Sequence, residues 1–159
     1  MDAHTAGNEL RPEEYLELGI LYVREGRFED ANRALKQAAL KYGDRSDKHV
    51  PPVLLSYYGL CLVALRRDAD RGLRYCKRAV HEAEARPDFY WNLGKAYLFL
   101  KKKPEAITAF QHGLEIDDDP RLLAALNRLG SRKLPMIPFL PRRHFLNRYL
   151  GLWRSRRRR

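Results

Sequence analysis

Apolar and polar positions recur in blocks along the first two-thirds of the chain. Three pairs, Leu18-Gly19, Tyr58-Gly59 and Leu93-Gly94, are each followed, three residues past the glycine, by a large apolar side chain: Tyr22, Leu62 and Tyr97. Next comes a polar break: Arg24-Glu25-Gly26-Arg27, Arg66-Arg67-Asp68 and Lys101-Lys102-Lys103-Pro104. A second apolar-periodic run follows each break. In the first unit Ala31, Leu35 and Ala38 fall at i, i+4 and i+7, and the third unit repeats this as Ala106, Phe110 and Gly113. The second unit gives Gly72, Cys76 and Ala79, displaced by one residue, which predicts one extra residue in its turn. Such spacing puts small and large side chains on one helical face, so that two antiparallel helices can approach closely.

A proline opens each unit, where the missing N–H of a first helical residue is no loss. The units so delimited are 12–41, 52–86 and 87–119, after a polar lead over 1–11. The stretch Gly43-Asp44-Arg45-Ser46-Asp47-Lys48-His49 reads as a loop that lengthens the first spacing. Beyond the third unit, Asp119 and Pro120 read as the N-cap and first residue of another helix within 120–133. Its stripe is Leu122, Leu123, Leu126 and Leu129, ended by Gly130.

This pattern resembles the tetratricopeptide repeat family, whose unit of roughly 34 residues is a helix–turn–helix. The resemblance implies an all-α fold: three such hairpins in a right-handed superhelix, closed by the helix over 120–133, which shields the apolar face of the last unit. It also implies that the first helix of each unit lines a concave groove. Carried over position by position, the groove would draw on Glu13, Leu16, Ile20 and Val23, then on Val53, Ser56, Tyr57, Leu60 and Val63. The third unit would add Asp88, Trp91, Asn92, Lys95, Leu98 and Phe99. One subclass of the family grips a peptide's C-terminal carboxylate with Lys, Asn and Arg. Those positions are Leu16, Ile20, Tyr57, Asp88 and Asn92 here, none of them cationic, so the clamp is not expected. The expected surface is apolar and aromatic, suited to a hydrophobic segment or helix of another protein, with Asn92 hydrogen-bonding its backbone. Trp91 is the expected anchor, since Trp is over-represented among binding hot spots. The competing reading of Leu16, Ile20 and Leu60 is that they pack between helices.

Charge changes the picture at the C-terminus. The chain has 159 residues, is 45% apolar and 32% charged, and carries a net charge of +11. From Met1 to Pro120 there are 19 Lys+Arg against 20 Asp+Glu, whereas Arg121 to Arg159 holds 12 Lys+Arg and no acidic residue. A near-neutral body with a strongly basic arm suggests two functions in two places. Within 134–159 the run Leu134-Pro135-Met136-Ile137-Pro138-Phe139-Leu140-Pro141 favours an extended polyproline II strand whose apolar residues need a surface to pack on. Phe145, Leu146, Tyr149, Leu150, Leu152 and Trp153 then repeat at helical spacing. Arg142, Arg143, Arg148 and Arg154 surround that face, and Arg156, Arg157, Arg158 and Arg159 end the sequence. A basic amphipathic helix of this kind suits an anionic membrane surface. The same arginines suit nucleic-acid phosphates or an acidic protein. A fourth reading is one more packed helix with a solvated tail.

Candidate chemistry adds little. The histidines, His4, His49, His81, His112 and His144, show no ligand spacing, and the glycines form no phosphate loop. Asp117-Asp118-Asp119 lacks the spaced ligands of a calcium loop and reads as a turn and N-cap. Cys61 and Cys76 read as small buried hydrophobes in a reducing compartment. No window approaches the ~20 apolar residues of a membrane span, and the N-terminus lacks a secretion pattern. The expectation is a cytoplasmic interaction scaffold, peripheral to a membrane on the first reading of the arm. Neither catalytic activity nor a cofactor or metal is expected. The alternative is a nucleic-acid- or ribosome-associated protein that binds through the arm.

Overall fold

In a computed structural model that describes residues 10–43 and 50–130, seven α-helices follow one another among the described residues, with turns and no strand between them. They are α1 (Pro12–Arg24), α2 (Phe28–Lys41), α3 (Pro52–Ala64), α4 (Ala69–Glu82), α5 (Pro87–Phe99), α6 (Lys103–Ile116) and α7 (Pro120–Arg128). But for Gly130, the described residues fall in one compact unit, Met1–Leu129. The fold is all-α, three helix pairs followed by a single helix.

Local chemistry sets the helix ends. Pro12, Pro52, Pro87 and Pro120 stand at the first positions of α1, α3, α5 and α7, with φ already preset for a helix. At α1, the Arg11 backbone N–H donates to Glu14 Oε2 at 2.6 Å. Asp68 and Asp119 accept the N–H groups of Arg71 (3.0 Å) and Arg121 (2.8 Å), which would otherwise be orphaned at the starts of α4 and α7.

The turn inside each pair repeats one motif. Gly26, Arg66 and Lys101 are all left-handed, at φ 77°, 52° and 60°. Each donates its N–H to the carbonyl three residues back, and the next residue reaches one carbonyl further into the helix: Arg27 to Tyr22 O, Arg67 to Leu62 O, Lys102 to Tyr97 O. These are paired Schellman bonds that satisfy the last carbonyls of α1, α3 and α5. The middle turn, 65–68, has four residues where 25–27 and 100–102 have three. That extra residue is the source of the displaced periodicity in α4.

Packing follows the small-residue register. A Cβ on Gly19 would fall 2.4 Å from Leu35 Cγ, and one on Gly94 within 2.2 Å of the Phe110 ring. The helices therefore approach until a bulky side chain of the second helix covers the bare backbone of the first. Central α3 is buried almost all round, from Leu54 to Val63 except Tyr58, because helices of its own pair and of both flanking pairs contact it. Leu35, Leu54, Leu55 and Phe89 are at most 1% exposed, each stabilising the fold by roughly 1.5–3 kcal/mol relative to exposure. At the C-terminal end, Leu122 and Leu126 of α7 cover Ala106 and Phe110 of α6. Leu123, expected in the same stripe, is instead 41% exposed. It lies about 100° round the helix from Leu122, off the face that meets α6.

Candidate groove between the first helices

Odd-numbered helices meet at a concavity of about 510 Å³. Val23 and Arg24 come from the last turn of α1, Glu25 and Gly26 from the turn that follows, and Phe28 from the first position of α2. Tyr57 and Leu60, three apart on α3, share one face, as do Trp91, Asn92 and Lys95 on α5. Arg121, in the first turn of α7, closes the far side.

The aromatic residues are held by one another. Trp91 packs on Phe110 with ring centroids 5.6 Å apart, and Phe28 meets Phe99 edge-on at 5.6 Å. Both geometries suit rings with a negative face and positive edge. Beneath them, Asn92 Nδ2 donates to Ser56 Oγ at 3.0 Å, tying α5 to α3 through two fully buried polar groups.

Cations surround this floor. Lys95 Nζ lies 5.7 Å from the Trp91 ring centroid and 5.8 Å from that of Phe99, and the Arg121 guanidinium lies 5.6 Å from Trp91. Each is within reach of a cation–π attraction. Arg121 is also paired with Asp119 at 2.6 Å, and that hydrogen bond holds the arginine above, and the aspartate below, its ordinary range. Arg86 and Asp88 pair at 2.8 Å, and Glu25 pairs with Arg27 at 3.2 Å. Among the described residues, Arg24 and Lys95 have no carboxylate partner. Burial pushes the Tyr57 phenol up; Asp88 adds to this, and Arg24 and Arg121 oppose it.

Of the residues expected to line a groove, Val23, Tyr57, Leu60, Trp91, Asn92 and Lys95 come together here. Leu16 and Ile20 do not. Leu16 is buried in the core with Leu35, Leu54 and Tyr57, and half-buried Ile20 packs against the same cluster. Two further corrections concern chemistry. Asn92 was expected to offer its amide to a peptide, but its N–H is committed to Ser56 and it is 1% exposed. Nor is the rim only apolar and aromatic, since Arg24, Lys95 and Arg121 stand around it. The sequence reading missed Arg24 because it stopped at Val23 on the first helix, and missed Phe28 and Arg121 because it took groove residues from first helices of units alone. Phe28 opens a second helix and Arg121 belongs to the closing helix. Residues Arg142 to Arg159 of the basic arm, with Phe145, Tyr149 and Trp153, lie outside the described residues. Among the described residues no group of three or more His, Cys, Asp and Glu could hold a metal ion. No described helix is long and apolar enough to cross a membrane.

Residues 64–129, from the end of α3 through α7, match the profile of the tetratricopeptide repeat family. That segment carries tetratricopeptide repeats. Several solved structures have similar backbones. The first tetratricopeptide repeat domain of Spaghetti (RPAP3), bound to the HSP90 peptide SRMEEVD, superposes with a TM-score of 0.56 at 19% identity, over 76% of this chain and 91% of that one. PcrH, in complex with the chaperone binding region of PopB, gives 0.52 at 18% identity, over 77% and 98%. MamA MSR-1 gives 0.51 at 19% identity, over 94% and 81%. At these identities the likeness establishes the repeat fold. A search of curated protein sequences gives no match.

Proposed function

We propose that the chain is a protein-interaction adaptor whose repeat groove receives a segment of another protein. The observation that carries this is the convergence of Val23, Tyr57, Leu60, Trp91 and Lys95, from three separate helices, on one concavity of about 510 Å³. That volume lies within the range of sites that enclose a compact ligand, and a half-buried Trp at the centre is the usual kind of anchor. Two structurally similar repeat proteins hold peptide segments of other proteins, which supports the same use here. The groove's aromatic floor suits large apolar side chains.

The basic arm serves, on this reading, to localise the adaptor to an anionic surface. Twelve Lys+Arg without one acidic residue from Arg121 onward support it, since each basic residue near an anionic membrane contributes about 1 kcal/mol. The test compares the full-length chain with one ending at Lys133 in capture from nuclease-treated host extract. One common partner for both forms supports the groove as the primary site. Capture by the full-length chain alone contradicts that and makes the arm the recognition element, and its loss under nuclease would identify a nucleic acid.

A further inference from the structure

We infer that the groove selects an acidic segment, one that sets carboxylates beside large apolar side chains. This rests on the groove being the partner site and specifies what enters it. Three carboxylates stand at or near the rim, and each is already neutralised: Asp119 by Arg121, Asp88 by Arg86 and Glu25 by Arg27. The remaining cations, Arg24 on α1 and Lys95 on α5, have no carboxylate of their own among the described residues. They flank an aromatic floor that water leaves when a ligand enters. A cation there loses solvation, and a ligand carboxylate restores its interaction by a charge-assisted hydrogen bond.

Aromatic rings among cations also suit single-stranded nucleic acid, which stacks bases on open ring faces. The geometry favours the peptide. Trp91 has Phe110 against it, with Lys95 and Arg121 over its ring, and Tyr57 is only 5% exposed. Little ring face is open to a base, whereas Arg24, beside the Tyr57 hydroxyl, and Lys95, over the Trp91 and Phe99 rings, have no carboxylate among the described residues. Their positions differ from those of the carboxylate clamp that the sequence lacks, so the selectivity would belong to this chain's own arrangement.

The test uses the indole N–H signals of the full chain. There are two tryptophans, Trp91 and Trp153, and Trp153→Phe assigns the one that reports on the groove. The probes are blocked octapeptides of alternating Leu and Asp, Leu and Asn, and Leu and Lys, with a peptide of residues 134–159 and a six-residue oligouridylate alongside. The expected result is a Trp91 shift that saturates roughly tenfold earlier with Leu/Asp than with Leu/Asn. That preference should shrink with salt and disappear in Arg24→Met/Lys95→Met, a pair that keeps the apolar stems. Equal affinity for the Leu/Asp and Leu/Asn peptides overturns acid selectivity and leaves the groove as a peptide site. Tighter binding of the Leu/Lys or 134–159 peptide overturns it by reversing the charge rule. A Trp91 response to oligouridylate alone assigns the groove to nucleic acid, and no Trp91 response to any probe overturns both readings.

Discussion

Gly59 of α3 and Gly72 of α4 cross backbone to backbone: a Cβ on Gly59 would fall 2.5 Å from Gly72 O, and one on Gly72 would fall 2.6 Å from Gly59 O. In the outer units the equivalent glycines, Gly19 and Gly94, meet Leu35 and Phe110 side chains instead. The middle unit has the smaller Cys76 at that position, so its helices close further and need Gly72 where the others carry Ala31 and Ala106. Gly59→Ala and Gly72→Ala should each destabilise by about 3 kcal/mol, since a backbone oxygen cannot turn aside. Urea unfolding of the double variant should show no rescue of one change by the other. In Gly19→Ala, by contrast, trimming Leu35 to Ala removes the clashing atoms, so the pair should cost less than the sum of the single changes.

Replacing Arg66 or Lys101 with glycine should stabilise the protein. Both hold a left-handed conformation that Gly26 adopts freely in the first turn. Relief of that conformation is worth roughly 1–2 kcal/mol, reduced by the greater freedom of glycine in the unfolded chain. A net gain of about 0.5–1 kcal/mol per site should appear as a Tm rise of about 1–4 °C. Gly26→Ala should shift it in the opposite direction.

Ser56→Ala should cost about 1–3 kcal/mol, more than the loss of one exposed hydroxyl, because it strands the buried Asn92 amide. A double-mutant cycle with Asn92→Leu isolates the coupling. A coupling energy near zero would show that the two groups do not support each other.

Cys61 and Cys76 should resist alkylation in the native state. Burial pushes the Cys61 thiol up to about 12, and pushes Cys76 up as well, with Cys61 a second cause. Because the folded state favours the protonated thiols, their contribution is full below about pH 9 and is lost as the pH rises toward about 12. Iodoacetamide at pH 8.5 should label both cysteines in urea and neither in buffer, and urea midpoints should fall progressively above pH 9.

The repeat was legible in the sequence because its determinants are local. Prolines at first helical positions, Gly/Ala/Leu register and charged turns each act within a few residues. The displaced triplet Gly72, Cys76 and Ala79 even reported the extra residue in the middle turn. The groove was less legible because it is assembled from distant elements. Nothing near Arg121 in sequence says that the first turn of the closing helix reaches Trp91. Nothing near Asn92 says that Ser56, 36 residues earlier, takes its amide proton partner role. Leu16 and Ile20 were assigned by position in the repeat, and the tight α1–α2–α3 core claimed them instead.

The central claim is that the groove touches another protein, and site-specific photo-crosslinking in the native host tests it directly. Lys95→p-benzoylphenylalanine places the reactive group at the rim, and Lys77→p-benzoylphenylalanine places it on the exposed side of α4 as a control. The account predicts a discrete protein adduct from position 95 that is absent from position 77. An adduct from position 77 with none from position 95 would contradict it.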